Sequence, residues 1–370
     1  MRRRAATVAV VLLLAACGRS TRAPSTERER LTLGAIAGPG SPTAQEDPTV
    51  RAARLAVSEY NRDGDSTYEV SVRRAGGKGS DPAAVAKELA AQNRLIGAVI
   101  APSSGEALAA GPAFQADSIP LLITSNSSGS LPGEGWKNFR RLVATDRAEG
   151  RAVARAATRK ANGFGFIFHD NTPSGRAFAD GAKEFFDSAK RPTPRGVERI
   201  SAKTSLPDLA GPIAQDVNAV VLFGGDGTLA ARLGGALKSL KFKGAMGVSG
   251  NALGAKAGTI PDGILAGSAG ADPADSRISS FRSRYRSSFG VAPPALAAEA
   301  YEGAWMLLEA IEEVEPRPRA ITDFFALNRT FRGDSKMYNY DDRGELKEPA
   351  VWIYEGRGGN WAPTGRQLAR

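Results

Sequence analysis

Short apolar runs alternate along this chain with longer segments whose apolar residues recur at helical spacing. Gly97–Ile100 and Ile119–Ile123 are two such runs, and Glu106–Ala116, which is rich in helix-forming residues, lies between them. Alternation of this kind predicts a parallel sheet with crossover helices. We therefore expect an α/β fold.

The same pattern continues through most of the sequence. Further strands are predicted at Leu31–Ile36, Tyr68–Arg73, Gly163–Phe168, Val217–Phe223, Gly244–Val248, Ile264–Gly267 and Val351–Tyr354. Further helices are predicted at Val50–Arg62, Ala148–Ala161, Arg176–Ala189, Leu229–Leu240, Phe281–Phe289 and Leu296–Ile311. The chain has 370 residues, enough for two domains.

Polar loops follow the first two runs named above. Ala101–Gly105 contains two serines, and Thr124–Ser128 contains Ser, Thr and Asn but no His, Cys or Lys. In open parallel sheets, ligands bind beyond the carboxyl ends of the strands. Loops of this composition favour binding a small polar molecule over transforming it.

Composition narrows the function classes. Hydrophobic residues make up 42% of the chain and charged residues 24%, which is typical of a globular protein. One His and one Cys exclude disulfides within the chain, a Cys–His dyad and metal sites built from these residues. Basic residues form no stripe interleaved with aromatics, so nucleic acid is not an expected partner. No cofactor is predicted.

The amino terminus has the pattern of an export signal. Arg2, Arg3 and Arg4 precede the apolar run Thr7–Leu14, which is too short to span a bilayer. Leu14-Ala15-Ala16-Cys17-Gly18 resembles the lipobox of bacterial lipoproteins, so we expect a signal peptide over residues 1–16, lipidation at Cys17 and a flexible tether over residues 17–30. The alternative is an ordinary secretory signal. Lipidation would hold the protein outside the cytoplasmic membrane.

Removal of the first sixteen residues changes the net charge. The formal charge of the full sequence is +10, and loss of three arginines lowers it to +7. A positive charge of this size favours weak association with anionic surfaces.

Several phrases, in this order, resemble the branched-chain amino-acid binding-protein family, which comprises solute receptors of ABC importers. The phrases are Leu33–Ile36 before a Gly/Pro loop, Leu55–Asn61, Pro102–Gly105, Ile119–Ile123, Phe139–Leu142, Phe289–Ala304 and Phe331–Tyr354. The resemblance implies a type I periplasmic binding fold with two α/β lobes and three crossovers. It places the first lobe at residues 31–146 and 272–335 and the second at residues 147–271 and 336–370.

The resemblance also implies ligand-binding residues in the first lobe: Ser103, Ser104, Asn126, Ser127 and Ser128. A helix that begins near Ser103 could hold a ligand carboxylate at its N-terminus. Ser103 and Glu106 also match a capping box, which needs no ligand. The alternative for the second loop is a solvated turn.

In the second lobe the implied residues are Ser174, Asp226 and Asn251. Ser174 stands where the family often has an aromatic residue, which indicates a ligand smaller or more polar than a branched-chain amino acid. Asp226 could pair with a ligand ammonium. The alternative is an Asp that belongs to a Gly-rich turn.

Gly224–Thr228 has the sequence GGDGT, which resembles the phosphate loop of NAD and diacylglycerol kinases. Ser249–Ala252 faintly resembles a later phrase of those enzymes. The unrelated sequence before the motif and the export signal both oppose this interpretation, which stays a remote alternative.

The sequence therefore predicts a lipid-anchored, monomeric, non-enzymatic receptor for an amino acid or similar small polar metabolite. Its expected partners are the ligand, the membrane through its lipid, and the permease and ATPase subunits of an ABC importer. The alternative is a ligand-sensing or accessory lipoprotein with the same fold and no transport role.

Overall fold

The computed structural model describes residues 28–369, except for residues 39, 44, 46, 101–103, 125–130, 132–134, 194 and 255–259 and the side chains of residues 104–106. The strands are β1 (Glu29–Ala37), β2 (Tyr68–Gly76), β3 (Leu95–Ile100), β4 (Leu121–Ile123), β5 (Phe139–Arg141), β6 (Gly165–His169), β7 (Val197–Arg199), β8 (Val220–Gly224), β9 (Ala245–Val248), β10 (Leu265–Ser268), β11 (Thr330–Arg332), β12 (Met337–Asn339), β13 (Ala350–Arg357) and β14 (Asn360–Leu368). The helices are α1 (Pro48–Arg62), α2 (Pro82–Ala90), α3 (Ser104–Ala116), α4 (Asp146–Ala157), α5 (Pro173–Ser188), α6 (Leu206–Ala214), α7 (Gly227–Ser239), α8 (Ser279–Phe289), α9 (Ala297–Glu313) and α10 (Pro318–Leu327).

Two sheets organise these elements. Sheet A has the order β2-β1-β3-β4-β5, and each neighbouring pair is parallel. Sheet B has the order β14-β13-β10-β9-β8-β6-β7; its pairs are parallel except for those of β13, which runs antiparallel to both β10 and β14. The predicted α/β class with parallel sheets and flanking helices is confirmed.

Apolar faces of helices bury the faces of both sheets. In sheet A, Leu33 and Val99 belong to one buried cluster with Leu55 of α1 and Leu307 of α9. In sheet B, separate clusters fill the two faces, one around Phe178 of α5 and one around Leu233 of α7. Burial on both faces explains why the central strands are continuous apolar runs, with no alternation of polar residues.

The chain passes between the two sheets three times. It leaves sheet A after β5, returns after β10 to the helices that pack on sheet A, and enters sheet B again at β13. Tyr338 and Tyr340 still pack in the cluster that contains Leu33. The third passage therefore lies between Tyr340 and Ala350. The predicted change of lobe between residues 335 and 336 comes before this passage, and the other lobe bounds stay predictions.

Helices α6 and α10 and strand β14 are among the elements that were not expected from the sequence. Helix α6 contains Pro207 and Pro212, which usually break a helix, but Pro207 lies in the first turn, where its missing N–H costs little. Helix α10 begins with Pro318 in the same way. Strand β14 is largely polar and exposed, and it forms by pairing with β13.

Two glycines set the approach of α4 to α5. A Cβ atom added at Gly150 would overlap the Phe178 carbonyl, and one added at Gly181 would overlap the Arg147 carbonyl. Each obstacle is backbone, which cannot rotate away as a side chain can. The two helices therefore pack at a distance that only glycine permits at both positions.

We expect Gly150→Ala or Gly181→Ala to lower the free energy of unfolding by about 1–3 kcal/mol, because either methyl group would push the helices apart. Gly235→Ala is the control. Gly235 lies inside α7 with no atom within 4 Å of an added Cβ, so alanine there should stabilise the protein by about 0.5–1 kcal/mol. Urea unfolding of the three variants measures these differences. Equal effects at all three positions would contradict the close approach.

Candidate functional site

The carboxyl ends of β3 and β4 lie side by side. Ile100 and Ile123 are partners in the register, and Thr124 fixes the end of the pair. Its backbone N–H and its hydroxyl both donate to the Ile100 carbonyl, at 3.0 and 3.1 Å. The two polar loops predicted to bind ligand therefore leave sheet A from neighbouring positions.

Most of the predicted binding residues of the first lobe fall outside the described part of the chain: Ser103, Asn126, Ser127 and Ser128. The same holds for Cys17. Ser104 is the first residue of α3, and its side chain is not described. Their roles stay predictions.

At the carboxyl edge of sheet B, Asp170 holds two loops together. Its Oδ1 accepts from the N–H and the hydroxyl of Thr172 at 2.9 and 2.6 Å. Its Oδ2 accepts from the N–H of Asp226 at 2.8 Å. Ser249 extends the network, since its hydroxyl accepts from the N–H of Gly225 at 3.1 Å. The loops after β6, β8 and β9 thus form one connected surface.

Close contacts explain why glycine occurs at several positions of this edge. Gly225 has φ +143°, in the region that favours glycine, and a Cβ there would overlap the Asp170 carboxylate. Gly175 and Gly224 lie against each other's backbone in the same way. Close approach of loops therefore explains the glycines of Gly224–Thr228 without a phosphate.

The structure brings together the segments that carry Ser174, Asp226 and Asn251. Ser174 is half-buried in the first turn of α5, next to Gly175. Asp226 is exposed and caps α7, with Oδ1 accepting from the N–H of Leu229 at 2.9 Å. Asn251 is exposed, and its backbone lies against Gly227. The turn role of Asp226 is therefore present, and a ligand role stays a prediction.

Sequence reasoning missed Glu149. This glutamate lies on α4, is 5% exposed, and accepts at 2.6 Å from the N–H of Gly250 in the loop after β9. Burial, with Asp146 nearby, raises the pKa of its carboxyl to about 8 although the Gly250 hydrogen bond opposes the rise. A Glu at helical spacing in an Ala- and Arg-rich segment gives no signal of this burial.

A second missed group joins the passages between the sheets to α9. Lys336 Nζ lies 2.9 Å from Glu299 Oε1, and the two side chains are 3% and 0% exposed. The same carboxylate oxygen accepts from the N–H of Ala271 at 2.6 Å. One glutamate therefore contacts the second passage, at Ala271, and the segment that leads into the third, at Lys336.

Glu302, one turn further along α9, also binds the segment that leads into the third passage. It accepts from the N–H and the hydroxyl of Ser335, at 2.7 and 2.6 Å, and from the hydroxyl of Tyr338. Burial, together with the charge of Glu299, raises the pKa of the Glu302 carboxyl to about 7.

A third buried contact ties the end of sheet A to the same region. The Arg141 guanidinium, which has no solvent exposure, binds Glu345 through two hydrogen bonds of 2.7 and 2.8 Å. The N–H of Arg141 also donates to the Gly344 carbonyl at 3.0 Å. Charged side chains thus concentrate where the two sheets are linked.

The single histidine, His169, accepts from the N–H of Asn171 at 3.0 Å and so closes the end of β6. Across the described residues, no group of three His, Cys, Asp or Glu is placed to hold a metal ion. In the same part of the chain, no helix is long and apolar enough to cross a membrane.

Comparison with known proteins decides the family. The family described as periplasmic binding protein matches residues 31–332. The chain belongs to this family. The resemblance to branched-chain amino-acid binding proteins is thereby confirmed at the level of family and fold. No curated protein matches the sequence.

Solved structures of periplasmic binding proteins share the fold. An ABC transporter substrate-binding protein of Desulfitobacterium hafniense in complex with Leu is 18% identical with a TM-score of 0.74, over 90% of this chain and 100% of that one. A branched-chain amino acid transporter substrate-binding protein of Streptococcus pneumoniae in complex with isoleucine is 17% identical with a TM-score of 0.70, over 92% and 99%. A solute-binding protein of R. palustris in complex with benzoate is 15% identical with a TM-score of 0.63, over 92% and 96%.

Glu149 should make the stability of this periplasmic binding protein depend on pH. Its folded pKa of about 8 lies above the unfolded value of about 4.3, so its contribution is fully present below about pH 4 and is lost as pH rises through 8. Glu149→Gln keeps an oxygen for Gly250 and removes the titration. From pH 5 to pH 9, we expect the free energy of unfolding of the variant to rise by about 1–3 kcal/mol relative to that of the natural protein. Urea unfolding of both proteins at the two pH values measures this difference. Parallel pH profiles would contradict this account.

Proposed function

We propose that this periplasmic binding protein is the extracytoplasmic receptor of an ABC importer and binds an amino acid or similar small polar metabolite between its two sheets. The family match carries the proposal. The carboxyl edges support it, since polar loops leave β3 and β4 together and the loops of sheet B are fixed by Asp170. Three linking segments connect the halves, and segments of this kind allow hinged closure around a ligand.

The bound molecules of similar structures narrow the ligand class. Leu, isoleucine and benzoate, held by three proteins of this fold, all carry a carboxylate. A carboxylate suits the N-terminal end of α3, where unpaired N–H groups and the helix dipole favour negative charge. We therefore place the ligand carboxylate near Ser103 and Ser104, with Asn126, Ser127 and Ser128 beside it.

Closure then brings the loops of sheet B onto the other end of the ligand. One carboxylate oxygen of Asp226 accepts from the N–H of Leu229 and so caps α7. The side chain is exposed, so its other oxygen could accept a hydrogen bond from a ligand ammonium. Ser174 and Asn251 would add neutral polar contacts. Ligand binding stabilises the closed form because only that form contacts the ligand from both sides.

The receptor role also implies its surroundings. A lipid on Cys17 would hold the protein on the outer side of the cytoplasmic membrane, and permease and ATPase subunits would accept the ligand from it. Non-enzymatic binding fits an edge whose described polar groups serve mainly to fix the loops.

A thermal-shift screen tests the receptor function. The chain from Gly18 onward is heated with single amino acids, small carboxylates, polyamines, or ATP with Mg²⁺. A ligand at a hundred times its Kd adds about 2.7 kcal/mol of stability, which raises Tm by several degrees. We expect a shift with an amino acid or small carboxylate. A shift with ATP alone would support the kinase alternative, and no shift would favour an accessory lipoprotein.

Asp226→Asn separates the ligand role from the cap. Asparagine caps a helix about as well as aspartate, so the Tm of the free protein should stay within about one degree. If Asp226 pairs with a ligand ammonium, affinity for the ligand found in the screen should fall by about 1–3 kcal/mol, measured by calorimetry. Unchanged affinity would remove Asp226 from the site. Asp216→Asn, in the turn before β8, is the control.

A further inference from the structure

A basic groove runs along the outer edge of sheet A, away from the ligand loops. It has a volume of about 630 Å³ and lies between α1, the edge strand β2 and the end of α8. Three exposed arginines line it: Arg54, Arg62 and Arg74. Serines, Asn61 and apolar residues such as Val72 and Phe289 form the rest of its wall.

The charge of this groove is not balanced locally. No acidic side chain is among the described residues that line it. On nearby elements, Glu59 is paired with Arg284, Glu69 with Arg30, and Glu88 with Arg73. Asp63 and Asp65 lie in the turn after α1, outside the lining of the groove. Within the described part of the chain, Arg54 and Arg74 form no ion pair, and Arg62 donates to the Ser58 hydroxyl at 2.7 Å. The groove therefore has the chemistry of an anion-binding surface.

The groove lies beside the point where the N-terminal segment joins the fold. The Arg28 guanidinium donates to the Asn61 carbonyl at 3.1 Å, and Asn61 itself lines the groove. Ten residues lie between Cys17 and Arg28, and the chain from one to the other cannot span more than about 40 Å. An anchor at Cys17 would hold this end of the molecule close to the membrane.

From this placement and charge we infer that the groove of Arg54, Arg62 and Arg74 docks on anionic phospholipid headgroups of the membrane that holds the protein. The inference rests on the proposed lipid attachment at Cys17 for its geometry. The guanidinium groups bind the phosphates, since their planar donors match phosphate oxygens. The contact orients sheet A with this edge toward the bilayer.

A vesicle-binding experiment without the lipid anchor tests the docking directly. The chain from Gly18 onward, which contains every described residue, is mixed with phosphatidylglycerol or phosphatidylcholine vesicles and sedimented at low salt. We expect binding to the anionic vesicles only. Replacing all three arginines by Gln should weaken it on the order of a hundredfold, because each basic residue near an anionic surface contributes about a fivefold factor.

A matched control separates the groove from net charge. Lys238, Lys241 and Lys243 are exposed around a groove of about 310 Å³ beside sheet B, which also contains Asp262. Their triple Gln variant loses the same charge and should bind vesicles within about threefold of the unchanged protein. Equal losses in both variants would overturn the inference in favour of non-specific attraction.

Two other outcomes would also overturn it. The first is the absence of binding to phosphatidylglycerol vesicles. The second is saturable binding of glycerol phosphate or inorganic phosphate without vesicle binding, which would make the groove a site for a free anion. Melting temperatures and the ligand screen, run on the same variants, show whether folding and the proposed receptor site stay intact. Failure of the docking can thus be told from failure of the receptor function.

Discussion

The buried ion pair between Glu299 and Lys336 joins α9 to the segment that leads into the third passage between the sheets, and Glu299 also binds the second passage at Ala271. Glu299 lies on α9, whose apolar face packs in the core of sheet A, while Lys336 and Ala271 lie on separate segments near the passages. Burial makes each charge costly without its partner, so separating them would cost several kcal/mol. We therefore expect movement between the sheets to occur around these contacts and to leave them intact.

At the carboxyl edge of sheet B, one charged side chain likewise joins separate segments, here through hydrogen bonds from backbone N–H groups. Asp170 binds backbone N–H groups of two loops, and Gly225 gives its carboxylate the room to do so. A loop surface that is fixed before the ligand arrives loses less entropy on binding. The edge of sheet B would then meet the ligand as a formed surface during closure.

Sequence patterns predicted the central strands because β3, β6 and β8 are buried on both faces and therefore continuously apolar. The alternation of apolar runs and helices predicted the parallel sheet and the polar loops at its carboxyl edge, and the family phrases predicted the type I periplasmic binding fold. Glu149 and Glu299 could not be found in this way, because burial of a charged residue depends on partners far away in the chain. Gly224–Thr228 resembles a phosphate loop although the close approach of loops explains its glycines. Loop packing and phosphate binding both require a residue without a Cβ, so the sequence alone does not distinguish them.

The carboxyl end of sheet A and its outer edge thus differ in chemistry. Its carboxyl end carries short neutral side chains, which suit one small ligand that must be released again. Its outer edge carries Arg54, Arg62 and Arg74 without acidic partners in the described lining, which suits a broad anionic surface. Attraction to such a surface decays over about 8 Å in physiological salt. The groove can therefore orient the receptor on the membrane without competing for the ligand.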